Sequence, residues 1–284
     1  MGKQFKRGYD LSIDHKGKRR IIKELRLVFE VTKSVRSFPN LAKIEVYNPA
    51  ETTRAILQSK FTNIVLNVGY AGARALIFKG DIRNTTQTKQ GVDSIITLYA
   101  GDGQRDWESS HVNITFDKSV KIKEVIRKVA ETFQRTSVAP ITEFGNYSDR
   151  IRSQTLSGST KDVLDSMAKD YDFQWSIQDG VFRAVENIRT EKGAITVKIN
   201  QGTGMIGSPT VTDKGVEVKT LLNPAVKPNG SILIESIAET VSKGNLFFRK
   251  LKNTRAAGKY KVVEVKHKGD THSNEWSSSI LGIL

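Results

Sequence analysis

A two-residue alternation of apolar and polar side chains is the strongest constraint on this chain. In LRLVFEVTKS, residues 25–34, Leu25, Leu27, Phe29 and Val31 fall on one side and Arg26, Glu30 and Thr32 on the other. That is the period of a strand with one buried face. AKIEVYN repeats it with Ile44 and Val46, and TNIVLNVGY with Ile64, Leu66, Val68 and Tyr70; ALIFKGDI and DSIITLYAGDG complete five or six strands in the first hundred residues. Asn48-Pro49 ends the second run, and a proline ahead of AETTRAILQ predicts a short helix over the sheet. Strands of this number and length suit a small barrel or sandwich.

Gly101-Asp102-Gly103 breaks the pattern. Beyond it, KIKEVIRKVAETF places Ile122, Val125, Ile126, Val129 and Phe133 at helical spacing, which predicts an amphipathic helix. A second helix is expected after LSGST, with Ser159 or Thr160 as cap and Val163, Leu164, Met167, Ala168 and Tyr171 as its buried stripe. FQWSIQDGVFRAV then reads as a hairpin turning at Asp179-Gly180, with Phe173, Trp175 and Ile177 on one strand and Val181 and Val185 on the other. From Gly193 on, AITVKIN, PTVTDKGVEVKTLL, GSILIESIAETV, NLFFRKL and GKYKVVEVKHK are again strand-like runs divided by Gly, Asn or Pro. Asn223-Pro224 and Lys227-Pro228-Asn229-Gly230 are turn signals.

The expected fold is therefore mainly β with an α+β insertion. Residues 1–103 form a first β-barrel domain, 104–192 a small α+β domain with two helices and a hairpin, and 193–284 a second β-barrel domain. No short-period repeat is present, but strands, a mixed unit and strands again suggest two related barrels.

Composition narrows function. With no cysteine, disulfides, thiolate metal sites and cysteine nucleophiles are excluded. The apolar runs fall short of the roughly 18 residues of a membrane span, and the basic N-terminus has no apolar stretch behind it, so stable membrane insertion is not expected and cytosolic synthesis is. A net charge of +15 raises nucleic acid as a ligand. The excess, however, lies before Asn40 and between Lys243 and Lys268, while residues 102–191 are near balance, and no aromatics interleave with the basic residues as a stacking platform requires.

Catalytic and cofactor motifs fare no better. Gly202, Gly204 and Gly207 satisfy GxGxxG, but Ser208-Pro209 leads into another strand rather than the helix a pyrophosphate needs. His267, Asp270 and His272 invite a metal reading, yet they lack helical spacing or further ligands, and the two histidines read as solvated residues flanking a hairpin turn. His15 and His111 are isolated in polar turns. Glu143, Asp149, Asp162 and Glu186 include no selected pair for glycoside chemistry. The triplets at Asn84, Asn113, Asn146 and Asn229 carry no weight for glycosylation without a secretory signal. No catalytic, cofactor-binding or metal-ligating residue is assigned, and no cofactor is expected.

Several segments, in order, resemble one family. GMIGSPTVTDKGVEVKTLLNPAVKPNGSILIES (204–236) and GKYKVVEVKHKGDTHSNEWSSSILG (258–282) resemble the C-terminal part of the central hub proteins of contractile-tail phage baseplates. AKIEVYNPAETTRAIL, IVLNVGY and ALIFKGDI resemble their first tube-like barrel, and DVLDSMAKDYDFQWSIQDGVFRAV their small middle domain. The resemblance implies a non-enzymatic virion protein of the tail baseplate, assembled in the host cytoplasm. It implies a homotrimer whose two tail-tube-like barrels per chain make a pseudo-sixfold ring. The implied partners are the trimeric spike, the tail tube or tube-initiating proteins and other baseplate proteins, with the tape measure protein as a further candidate; genomic DNA would pass through the lumen without a specific site. A basic nucleic-acid-binding protein and a tail-associated cell-wall hydrolase are the alternatives the residues leave open.

Overall fold

The computed structural model describes residues 6–15, 17–59, 62–70, 73–141, 153–187, 190–191, 193–236, 240–241 and 256–284. The first part contains β1 (Arg7–His15), β2 (Lys18–Ile22), β3 (Leu27–Ser34), β4 (Leu41–Tyr47), α1 (Glu51–Leu57), β5 (Asn63–Tyr70), β6 (Ala73–Gln90) and β7 (Asp93–Gly101). The alternation does what it should: Leu27, Phe29 and Val31 are buried on β3, Ala42, Ile44 and Val46 on β4, and Ile64, Leu66 and Val68 on β5. Two features depart from expectation. β1 and β2 pair antiparallel, and through β1 Leu11 and Ile13 enter the same core, while β6 runs on for 18 residues through a Thr/Gln-rich segment with no apolar period.

The middle part holds α2 (Gln104–Ser109), β8 (His111–Phe116), α3 (Ile122–Ala130), β9 (Ser137–Val138), β10 (Gln154–Ser159), α4 (Thr160–Asp170), β11 (Phe173–Gln178) and β12 (Val181–Glu186). Both expected helices form. Ser159 stands at the cap of α4 but its side chain makes no capping bond; the Thr160 hydroxyl instead meets that of Thr132 at 2.7 Å. On β12 it is Phe182, not Val181 or Val185, that is buried. Pairing explains this, since Phe182 stands opposite the inward-facing Ile177.

The last part contains β13 (Thr196–Ile199), a 3-10 turn (Gln201–Thr203), β14 (Met205–Thr212), β15 (Gly215–Leu221), β16 (Ser231–Ile234), β17 (Thr240–Val241), β18 (Gly258–Asp270) and β19 (Trp276–Ile283). NLFFRKL, residues 245–251, lies outside the described residues.

Among the described residues, fourteen strands make one sheet, and its path contains the same motif twice. The first part runs β3-β4-β7-β6-β5-β1 and the last part β14-β15-β19-β18-β16-β13. Each half has one long strand that changes partner. β6 pairs with β5 up to Asp81 and with β7 from there on, with an irregularity after Ile82. β18 pairs with β16 up to Lys261 and with β19 from there on, with an irregularity after Val262. The innermost pairs differ, because β1 is antiparallel to β5 whereas β13 is parallel to β16. One antiparallel seam joins the halves: β3 lies along β18, from Ser34 opposite Glu264 to Val28 opposite Asp270.

Among the described residues three apolar clusters form, one under each part, and the first borrows Leu222 and Trp276 from the last. The Tyr9 hydroxyl donates to Leu25 O at 2.5 Å and the Arg7 guanidinium lies 5.8 Å from the Trp276 ring centre, so the first half curls until β1 approaches the start of β3 and the β18–β19 hairpin. At the seam, Gly269 stands between Phe29 and Trp276, whose rings meet edge to face at 5.3 Å. A Cβ on Gly269 would lie 2.4 Å from Phe29 Cζ and 2.7 Å from Trp276 Cε3. Gly269→Ala is therefore expected to lower stability by roughly 1–3 kcal/mol through overpacking, read as a lower urea midpoint at unchanged slope.

Candidate functional site

The β11–β12 hairpin is held at both ends by side chains from the β3–β18 seam and its flanks. Its turn takes positive φ at Asp179 (58°) and Gly180 (79°), the two-residue conformation that Asp-Gly favours. The turn's two N–H groups donate to one carboxylate: Asp179 N to Asp102 Oδ2 at 2.5 Å and Gly180 N to Asp102 Oδ1 at 2.8 Å. Asp102 is aimed there by its glycine neighbour. Gly103 has φ 63°, and a Cβ on it would sit 2.7 Å from the Ile177 side chain.

Lys33, buried on β3, donates to both Asp179 carboxylate oxygens at 2.7 and 2.8 Å. Asn40 completes the seat. Its Nδ2 donates to Ile177 O at 2.8 Å and Gln178 Oε1 at 3.0 Å, while its Oδ1 accepts from Ser34 N at 3.0 Å. Gln178 Nε2 reaches back to Ser34 O at 2.8 Å. At the open end, Lys261 on β18 donates to Asn187 O at 3.0 Å, Glu186 O at 3.2 Å and Gln174 Oε1 at 3.3 Å. Near the start of the middle part, Trp107 Nε1 donates to Ser37 O at 2.8 Å and its ring lies 5.9 Å from that of Phe38.

Burial sets the charge states. Asp102 is pushed up to about 7, chiefly by desolvation and then by the Asp179 charge, against the pull of Lys33 and the two turn N–H groups. His267 is held down to about 3 by complete burial and then by the Lys33 charge; its Nδ1 lies 2.8 Å from Ser278 Oγ. Lys261 is drawn down to about 8 by desolvation. Removing a partner from such a network leaves a buried polar group unsatisfied, which costs more than the bond itself contributes.

His267 thus corrects the sequence reading, which had it solvated: the turn comes later, over residues 271–275, so His267 lies within β18 and faces the core while His272 is exposed. Among the described residues no three His, Asp or Glu side chains gather as a metal site. His15 Nδ1 meets Thr62 Oγ1 at 3.2 Å and His111 Nδ1 meets Ser109 O at 3.0 Å. Gly202 lies in the 3-10 turn, Gly204 caps it and Gly207 lies within β14, so a strand rather than an α-helix accompanies these glycines. Asp162 is exposed at the start of α4 and Glu186 ends β12; Glu143, Asp149 and Asn146 lie outside the described residues. Asp102, Lys33, Asn40 and Lys261 were not singled out by sequence. A Gly-Asp-Gly break was the one local hint, for Asp102.

The other face of the sheet is open to solvent and continuous across the seam. Lys43, Glu30 and Lys268 stand in one cross-strand row, and Thr32 and Lys266 in the next. Glu30 is bound by both Lys266 and Lys268 and is held below the usual carboxylate range by those bonds, the one to Lys266 first. Lys43 pairs with Glu45 at 2.8 Å.

This architecture is that of phage tail proteins. A prophage MuSo2 43 kDa tail protein from Shewanella oneidensis superposes with a TM-score of 0.62 at 10% identity, covering 96% of both chains. A tail protein from Neisseria meningitidis MC58 superposes with a TM-score of 0.62 at 7% identity, over 97% of this chain and 96% of that one. The E. coli c3393 protein, a type VI secretion component described as structurally similar to the T4 tail proteins gp27 and gp5, gives 0.58 at 10% identity, over 95% and 76%. At such identities these likenesses concern the fold. Among curated protein sequences none matches. Residues 10–254 match the family described as baseplate hub gp41. The chain belongs to that family of phage baseplate hub proteins.

Two titrations of opposite sign meet in this site. Asp102 binds its proton more tightly folded than unfolded, so its contribution to stability falls as pH rises from about 4 to 7. His267 is the reverse. The unfolded chain takes the proton first, so its contribution rises with pH from about 3 to 6.5. Each slope approaches about 1.4 kcal/mol per pH unit for one proton, and in wild type the two largely cancel between pH 4 and 6.5. Relative to wild type, Asp102→Asn should gain stability with rising pH across that window and His267→Gln should lose it. Chemical denaturation at four or five pH values checks both signs.

Proposed function

We propose that this hub acts as a trimeric, non-catalytic ring that seats the trimeric spike on one side and the sixfold tail tube on the other, with genomic DNA passing through its lumen. The observation that carries the reading is the repeated strand path. Two similar sheet motifs in one chain give six around a ring of three, which is how a threefold object can present a sixfold surface. In this reading residues 1–103 and 193–284 are two tube-like barrels, residues 104–192 are the insertion between them, and the protein resides in the virion tail baseplate after assembly in the host cytoplasm.

The open sheet face suits a lumen. On it Lys43, Lys219, Lys266 and Lys268 are interleaved with Glu30, Glu45, Glu217 and Glu264, so cations that would hold a phosphate backbone are offset by carboxylates. Rigid coupling between the halves suits a part that transmits force from tube to spike. The Lys33, Asp102 and Lys261 contacts supply it by tying the insertion to both sides of the seam.

Native mass spectrometry of the full chain, alone and with its spike, tests the reading. It expects a species of three 31.6 kDa chains, at least with the spike present. A single-chain species that takes up neither spike nor tube protein would contradict it.

A further inference from the structure

The duplicated path leaves one edge filled in one half and open in the other. On β18, residues 264–270 beyond the irregularity carry β19 on one side and β3 on the other. On β6, residues 84–90 beyond the matching irregularity carry β7 on one side, and among the described residues nothing pairs with the other, because the pairing with β5 ends where Asn63 meets Asp81. This arm is exposed from Thr86 to Gln90 and ends beside Val92, which is 95% exposed. A seven-residue ribbon with a free edge is what monomeric proteins usually avoid.

The strand that would fill it is also present, with an edge that is only partly covered among the described residues. β14 occupies in the last part the place of β3 in the first. Its far edge carries the two-residue β17 at Thr210 and Val211, where β3 carries β18.

Matching the halves pair by pair fixes a register. Glu264 opposite Leu281 corresponds to Asn84 opposite Tyr99, which makes His267 the counterpart of Gln87. Val216, between Val211 and Gly282, corresponds to Ala42, between Val31 and Ala100, which makes Val211 the counterpart of Val31. Val31 lies opposite His267.

We propose that β14 of one copy pairs antiparallel with the β6 arm of a second copy, with Val211 opposite Gln87, Thr210 opposite Thr88 and Thr212 opposite Thr86. The inference rests on the ring reading and names the surface by which the ring closes. β17 lies along that β14 edge in the single chain and gives way when the second copy docks. Thr210, Thr212, Thr86 and Thr88 share one face of this pairing, while on the other Gln87 meets Val211, which is buried in the last part's core. The same pair cannot form within one chain by sheet continuity, since six strands separate β14 from β6, about 34 Å at the usual strand spacing.

The chain has no cysteine of its own, which makes the test direct. Full-length protein carrying Thr86→Cys and Thr212→Cys is oxidised and run without reductant, alone and with the spike, beside the one-residue-shifted pair Thr86→Cys and Val211→Cys. Covalent dimers and closed trimers from the first pair, reversed by reductant and weak or missing from the shifted pair, are expected. A second pair of variants guards against a folding artefact: Thr88→Lys with Thr210→Lys should weaken the trimer in native mass spectra, and Thr88→Glu with Thr210→Lys should restore it. A native trimer that does not cross-link at the first pair, or that links better at the shifted one, overturns the edge pairing and leaves the ring reading intact. Protein that stays a single chain with and without the spike overturns both.

Discussion

The backbone pairing of β3 with β18 is the interaction on which the rest depends. It turns two sheet motifs from opposite ends of the chain into one surface, with Val28 to Ser34 against Glu264 to Asp270. It also sets Lys33 and Lys261 on adjacent strands, from which they reach the turn and the open end of the same hairpin. Without the seam neither lysine would have a fixed target. The aromatic pair at Phe29 and Trp276 closes around Gly269 there, so side-chain packing reinforces a register that backbone hydrogen bonds alone would specify weakly.

The buried charges are tolerable because each has a partner and the seat is closed. Lys33 meets Asp179, Asp102 meets two N–H groups of the turn, and Lys261 meets two carbonyls and an amide oxygen. Well-packed apolar residues could give similar stability. What an apolar seat lacks is direction: a carboxylate aimed at two adjacent N–H groups accepts one turn in one orientation. That direction holds the hairpin in a fixed relation to both halves of the sheet.

Local pattern made much of the fold legible. The alternation at Leu27, Phe29 and Val31, the stripe from Ile122 to Phe133 and the Asp179-Gly180 turn each report a preference that acts within a few residues, and each appears in the structure as the sequence implies. Where the signal fails, another force decides. Leu11 and Ile13 are two apolar residues in a basic stretch, too few to outweigh the charge around them; the β6 arm has no period because neither of its faces is buried in the single chain. The seat was almost invisible. Lys33, Asn40, Asp102 and Lys261 come from distant parts of the chain, and nothing local distinguishes a lysine that will be buried from one that will be solvated. His267 shows the same limit, since its burial follows from the length of β18. The family likeness was visible in the order of segments rather than in any single motif.

The proposed continuity of the sheet around the hub is tested most directly by an electron cryomicroscopy map of the assembled hub at a resolution that separates strands. The map should show an unbroken sheet around the lumen in which the β3–β18 seam within each chain alternates with a seam between chains, six in all. Chains that meet through their middle parts, or a sheet interrupted between neighbours, would contradict it.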